Sequence, residues 1–339
     1  MKKKVFGCLC ILLATGLVLG FAQALLQPKY MTSAREGALI AEYYNETDRS
    51  HDVLFVGDCE VYESFTPPTL WEEYGVTSYV RGSAQQLAWH SYYLLEEMLQ
   101  YETPKVVVYN VLALKYGEPQ NEAYNRLNLD GMRLSASKLR AIQASMTEEE
   151  SFASYLFPLL RFHSRWKELS AEDFEYLFHR DRVSHNGYLM QTGIRGGTSD
   201  ITPVPLTDPS LPKTSMEYLE RMRLLCEEKG VALVLIKAPT NDWKYHWYDE
   251  WDAQIAEYAQ EHGLHYYNFI PLCEEIGIDW STDTYDVGAH LNVYGAEKLT
   301  SYFGEILVSE FGLTDRSSDA ALAEIWEEKL TAYRAEKAQ

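Results

Sequence analysis

Three short apolar runs fix the class of fold: His51-Asp52-Val53-Leu54-Phe55-Val56-Gly57-Asp58, the β-branched Lys105-Val106-Val107-Val108-Tyr109-Asn110-Val111, and Val231-Ala232-Leu233-Val234-Leu235-Ile236-Lys237-Ala238. None alternates with polar residues, so each is read as a strand covered on both faces, as in a parallel sheet with helices above and below. Between the first two runs, Pro67–Tyr74 and Ser83–Tyr101 read as helices flanking a short strand at Val76–Val80, with Ser83 as the N-cap of the longer helix. Ser215–Lys229 supplies a helix before the third run. Glu250–His262 (helix), Leu264–Phe269 (strand) and Gly295–Phe311 (helix) follow it. The alternation predicts an α/β protein, a three-layer α/β/α sandwich on a parallel sheet of about five strands with right-handed crossovers.

The pattern is interrupted between about 115 and 212. Helices are expected there at Ser135–Ala144, Thr147–Phe162 and Ala171–His179, then a loop rich in Gly, Pro, Ser and Thr, the whole reading as a helical insertion that caps one end of the sheet. At the N-terminus, Lys2, Lys3 and Lys4 precede an uncharged run, Val5 to Ala22, that continues through Leu25 and Leu26. At about 1.5 Å per residue a helix of this length crosses a hydrocarbon core of about 30 Å, and the lysines orient it with the rest of the chain outside. Ala22-Gln23-Ala24 has the small-x-small form of a cleavage site, so a retained single-pass anchor and a cleaved signal both stand; the length favours the anchor. Residues 1–30 are thus assigned to the anchor or signal segment, 31–50 to a stalk, 51–313 to the α/β domain, and 314–339 to a polar tail expected to be helical.

Charge narrows the partners. Fifty acidic residues against thirty basic ones give a net charge of -20, a field that repels phosphate backbones and argues against nucleic acid. Of the cysteines, Cys8 and Cys10 fall in the apolar run, and Cys59, Cys226 and Cys273 have neither disulfide-framework nor zinc-ribbon spacing. No G-x-G-x-x-G or Walker loop follows any strand, and no metal or cofactor is expected.

In an open parallel sheet, ligands bind beyond the carboxyl ends of the strands. Gly57-Asp58-Cys59 directly follows the first strand, where a strand-to-helix turn exposes backbone N–H groups that stabilise a thiolate or an oxyanion. Read alone, an isolated cysteine such as Cys59 is more often a small buried side chain. Asp286-Val287-Gly288-Ala289-His290 lies on the loop before the last helix, from which an imidazole and a carboxylate reach the same edge. The other reading makes Asp286 a turn residue and His290 a cap or core imidazole. A cluster after the third run, with Trp243 and Trp247, is either a sugar-stacking platform or core packing under the insertion. Arg161, His163 and Arg165 read as surface charges at a helix end, with contact to an anionic polymer as the alternative.

Together these blocks resemble the SGNH (GDSL-like) hydrolase superfamily, which has a GDS block after the first strand, a Gly block, an Asn after the third strand and a D-x-x-H block near the C-terminus. Here the blocks are Gly57-Asp58-Cys59, Arg81-Gly82-Ser83, Asn110 and Asp286 to His290. Anchoring and tone are similar to the exported Gram-positive branch, which includes teichoic-acid D-alanylation and polysaccharide O-acetyltransferase modules. The resemblance implies an SGNH/flavodoxin-like sandwich and an exported acyl-ester hydrolase or O-acyltransferase acting on a cell-envelope glycan or glycolipid. In it Cys59, His290, Asp286 and Asp58 would be catalytic, Gly82 and Asn110 would hold the oxyanion, and Tyr62, Arg81, Trp243, Trp247 and Asn292 would contact substrate. The chain departs from the pattern in three ways: Cys59 replaces serine, Asp286 stands four residues before His290 instead of three, with Asp283 in reserve, and no Gly-x-Asn-Asp surrounds Asn110. Loss of the serine also admits a non-catalytic module that binds envelope polymer or assists a membrane acyltransferase.

Overall fold

The computed structural model describes residues 2–28, 36–179, 182–197, 206–241 and 247–339. Five strands, β1 (Val53–Gly57), β2 (Ser78–Gly82), β3 (Val106–Asn110), β4 (Ala232–Lys237) and β5 (His265–Asn268), form one sheet in the order β2-β1-β3-β4-β5, every pair parallel. The helices are α1 (Lys2–Leu26), α2 (Glu36–Glu42), α3 (Cys59–Tyr62), α4 (Pro67–Tyr74), α5 (Ala88–Met98), α6 (Glu122–Leu129), α7 (Ala136–Ser145) and α8 (Phe152–Leu156). They continue as α9 (Leu159–Phe162), α10 (Ala171–Phe178), α11 (Lys213–Lys229), α12 (Asp249–His262), α13 (Cys273–Ile276), α14 (Val293–Phe311) and α15 (Ala320–Lys337).

The unbroken apolar runs have a simple cause. Val53, Phe55, Val106, Val108, Val234 and Ile236 pack into a core with α4 and α14, whereas Leu54, Val56, Val107, Tyr109, Leu233 and Leu235 pack into a second core with α5, α11 and α12. Successive side chains point to opposite faces, and both faces are dry. The chain runs from β1 outward to β2, then back past β1 to β3. The order therefore reverses between β1 and β3, and a crevice opens beyond their carboxyl ends.

Several boundaries differ from expectation. Strand β2 begins two residues later than expected because Gly75, at φ 62°, ends α4 in a left-handed turn and the Val76 N–H donates to the Leu70 carbonyl at 3.3 Å. Arg81 and Gly82 thus belong to the strand, paired with Val56 and Gly57. Helix α5 starts at Ala88, not Ser83, since Gln85 adopts φ 52° and the Gln86 amide donates back to the Arg81 carbonyl at 3.1 Å. The helix expected over Thr147–Phe162 splits into α8 and α9 around Pro158, and α6, capped by Asn121, was not anticipated.

The stalk is corrected to part of the domain. Leu39, Ile40 and Tyr43 are fully buried, and the Tyr43 and Tyr44 hydroxyls donate to Glu102 and Glu97 at 2.7 and 2.6 Å. The tail is likewise built in: α15 buries Leu322, Leu330 and Tyr333, and Trp326 stacks on Trp71 at 5.4 Å. The end of the insertion returns as a strap. The Val80 N–H donates to the Asn186 carbonyl, the Leu189 N–H to that of Tyr62 and the Arg195 N–H to that of Thr284, so the strap covers the β2 edge and then runs beneath the histidine loop.

Helix α1 is apolar and long enough to cross a membrane, and none of its window of highest hydropathy is buried. Its last turn meets the insertion, where Arg165 donates to the Leu26 carbonyl at 2.9 Å and Leu25 is buried.

Candidate active site

Cys59 is the first residue of α3, two residues past the end of β1. Gly57 makes the turn at φ 157°, and a Cβ there would stand 2.5 Å from Val61 and 3.1 Å from Asn110, so glycine is required. Asp58 caps α3, its Oδ1 accepting from the Glu60 N–H at 3.2 Å. The cap fixes where the Cys59 side chain leaves the backbone.

His290 comes to this point from the far end of the chain. Its Nε2 lies 3.1 Å from Cys59 Sγ, its Nδ1 lies 2.6 Å from Asp286 Oδ2, and its backbone N–H donates to Asp286 Oδ1 at 2.8 Å. A carboxylate against Nδ1 holds the proton there and leaves the Nε2 lone pair facing the thiol. The four-residue spacing is absorbed by Val287 at φ 69° and Gly288 at φ 93°. The strap secures this bend through the Val287 N–H, which donates to the Arg195 carbonyl at 2.9 Å, and the loop secures itself through the Gly288 N–H, which donates to Thr284 Oγ1, also at 2.9 Å. Asp283 points elsewhere, accepting from Lys298 at 2.6 Å and the Asp279 N–H at 2.8 Å; of the two aspartates, Asp286 orients the imidazole.

A second carboxylate attends the histidine. Glu63, one helical turn after Cys59, is buried, accepts from the Tyr285 hydroxyl at 2.9 and 3.0 Å, and brings Oε2 within 3.7 Å of His290 Nδ1. The i, i+4 spacing from Cys59 was a readable signal that these two side chains share a helix face.

Other expected roles are corrected by the surroundings of each side chain. Asn110 is fully buried and spends both amide hydrogens on carboxylates, donating to Asp58 Oδ1 at 3.1 Å and Glu60 Oε2 at 3.0 Å, while its Oδ1 accepts from the Ala238 N–H. It is therefore a positioning residue, not an oxyanion donor. Asp58, turned toward Asn110 and Glu60, also positions rather than reacts. Arg81 is 0% exposed and donates to Glu97 at 2.8 Å and to the Tyr44 hydroxyl at 2.9 Å, with no access to substrate. Tyr62 and Trp247 are each 1% exposed; the first packs in the core, and the second donates its indole N–H to Asp252 at 3.1 Å. Asn292 caps α14 and donates to the Gly193 and Thr282 carbonyls. Gly82 closes β2 opposite Gly57, backed by the Gly57 and Asp58 carbonyls, where no side chain fits. Trp243 lies outside the described residues.

Beneath Cys59 lies a buried ion pair that sequence reading missed, Lys237 donating to both oxygens of Glu60 at 2.8 Å. Burial and the adjacent Glu60 push the Asp58 carboxyl up to about 7, against the pull of Lys237. Burial also pushes the Cys59 thiol up, with the charge and hydrogen bond of His290 acting against it. For His290, burial works against the imidazolium, but the Cys59 sulfur, Asp286 and Glu63 outweigh it and hold the ring well above the usual histidine range. Burial opposes the Asp286 charge too, yet its bond to His290 keeps it below the usual carboxylate range. The pair is built to keep one proton between Sγ and Nε2.

A cavity of about 490 Å³ opens onto the thiol and imidazole, walled by Gln85, Leu112, Lys115 and Trp251. Burial holds the Lys115 ammonium below its usual value, with Glu60 acting in the opposite sense. No family model matches the chain, and no curated protein matches it.

Proposed function

We propose that this protein is an exported, membrane-anchored acyl-ester hydrolase or O-acyltransferase of the SGNH type, acting on a cell-envelope glycan or glycolipid through Cys59, His290 and Asp286. The observation that carries this reading is the continuous contact from Sγ to Nε2 at 3.1 Å and from Nδ1 to Oδ2 at 2.6 Å, at the mouth of a cavity at the sheet's switch point. Sγ attacks the acyl carbonyl as its proton passes to His290 Nε2. The tetrahedral adduct collapses, the C–O bond breaks, and the leaving alkoxide takes that proton. Water or an acceptor hydroxyl, deprotonated by the same nitrogen, then attacks the thioester and restores the thiol. The uncharged run of α1 after three lysines supports a single-pass anchor with the domain outside the membrane.

The test is acyl-enzyme trapping. Brief incubation with p-nitrophenyl acetate, an acid quench and peptide mass spectrometry should place one acetyl group on Cys59 in the wild type. Cys59→Ala should carry none, and His290→Ala should acquire it far more slowly. Equal labelling of the wild type and Cys59→Ala would sink the mechanism. A second reading, a non-catalytic accessory that binds envelope polymer, draws on the commitment of Asn110 to Asp58 and Glu60. It expects a thiol inert to iodoacetamide at mildly acidic pH, where a catalytic Cys59 alkylates selectively.

A further inference from the structure

We propose that the outer face of the helical insertion, around α8 to α10, lies in the membrane interface and fixes how the domain stands on the bilayer; this rests on the reading of α1 as a membrane span. Large apolar side chains crowd this short stretch and face outward: Phe157 is 59% exposed, Leu160 60%, Trp166 64% and Phe178 75%, with Phe174 also exposed. Isolated exposed apolar residues need no explanation, but five within 22 positions of one short insertion call for a surface that covers them.

What covers the patch follows from where α1 ends. Residues 22–28 of α1 and its exit are half-buried, whereas Val5, Leu12, Leu19 and Phe21 are each more than half exposed. The partners of that half-buried end are α9, α10 and the turn His163–Lys167 between them, and Arg165 locks the junction by bonding both the Leu26 carbonyl and Asp173. The apolar body of α1 therefore leaves the domain directly from this face. A bilayer enclosing that body must abut the same elements.

The composition of the face fits a headgroup layer. Trp166 stands among Arg161, Arg165 and Lys167, and an aromatic ring flanked by long cations partitions to the boundary between headgroups and acyl chains. Acidic residues are present as well. Asp173 is paired with Arg165 and Glu122 with Arg126 and Arg161, while Glu168, Glu172 and Glu175 are exposed. Attachment is thus driven chiefly by apolar contact.

Helix α1 contains no tryptophan, so Trp166 reports on the insertion alone. The full chain is reconstituted into phosphatidylcholine vesicles containing lipid brominated close to the headgroup, and tryptophan quenching is compared with unbrominated vesicles. Wild type should be quenched, Trp166→Phe should lose that quenching, and adding Phe178→Trp to Trp166→Phe should restore it. An alkaline-carbonate wash, run in parallel, reports on the anchor. Release by carbonate overturns both the anchor and this proposal. Retention with Trp166 unquenched overturns this proposal alone.

Discussion

Replacing Asp286 by asparagine leaves the loop its shape and removes the charge on which His290 relies. The carboxylate receives the Nδ1 proton at 2.6 Å and the backbone N–H at 2.8 Å, so an asparagine oxygen can serve one of these, and its NH2 then faces the other donor. Unit charges about 4 Å apart at an effective dielectric of about 20 interact by about 4 kcal/mol, the scale of support lost by the imidazolium. Glu63, at 3.7 Å from the same nitrogen, stays to supply part of it. General-base catalysis is typically worth about 10²–10⁴ in rate, and with Glu63 in place the single variant should fall by about 10². Glu63→Gln alone should cost less than about tenfold, and the double variant should approach about 10⁴. Because Asp286 helps to hold His290 high, its loss makes the neutral imidazole available at lower pH. The acid limb of the pH–rate profile should therefore move down while the plateau drops. Burst release of p-nitrophenol from the acetate ester measures acyl transfer, and iodoacetamide alkylation follows the thiol without a substrate. An unchanged rate, or an acid limb displaced to higher pH, would refute the assigned role.

Two further perturbations test the layer beneath the thiol, and a third the thiol itself. Lys237→Met strands Glu60 in the interior and should cost about 3–5 kcal/mol in urea unfolding, with Lys237→Met/Glu60→Leu recovering most of it. Asp58 has a folded pKa of about 7, above its unfolded value, so its contribution to stability is complete below about pH 4 and lost as pH rises through 7. Removing Lys237 takes away a group that lowers that pKa, so the deficit of Lys237→Met should shrink toward pH 4; a deficit independent of pH would contradict the charge account. Asn110→Ala should depress alkylation and acyl transfer together and cost about 1–3 kcal/mol. Loss of acyl transfer alone, by about 10²–10³, would restore Asn110 as an oxyanion donor. Cys59→Ser should fold normally yet lose acyl transfer by more than about 10², and parity with the wild type would count against a thiol-specific site.

The strands and the thiol–imidazole pair were legible in sequence because their signals are local. β1, β3 and β4 announce themselves by apolar runs that two dry faces require, and Cys59, at a strand-to-helix turn, and His290, on a loop, sit where a parallel sheet brings them to one edge. Asp286 could not be separated from Asp283 because the deciding feature is the bend at Val287, pinned by Arg195 on a strap that is distant in sequence. Arg81 and Asn110 were placed at the right strand ends but given the wrong partners. Their side chains meet Glu97 and Glu60, whose approach depends on how α5 and α3 pack. The amphipathic segment over 31–50 and the polar one after 313 read as a stalk and a tail, yet Tyr43, Tyr44 and Trp326 find partners only in the folded domain.

The charges around the thiol explain why a cysteine suits this position. Four carboxylates, Asp58, Glu60, Glu63 and Asp286, surround a site that also holds Lys115, Lys237 and the His290 ring. When Asp58 carries its proton, three anions meet two lysines, and a thiol beside a neutral imidazole leaves one net negative charge. Loss of the sulfur proton to solvent would add a charge that nothing offsets, which is the cost burial imposes on the thiolate. Passing that proton to a neutral His290 leaves the total unchanged. A serine could use that transfer only late, as the new bond forms, and would then lean on an amide that Asn110 has already given to Asp58 and Glu60. A thiol, far more acidic in water, gives up its proton earlier and needs less help from such a donor. Proton transfer confined to the Sγ–Nε2 pair is the chemistry this charge arrangement permits at least cost.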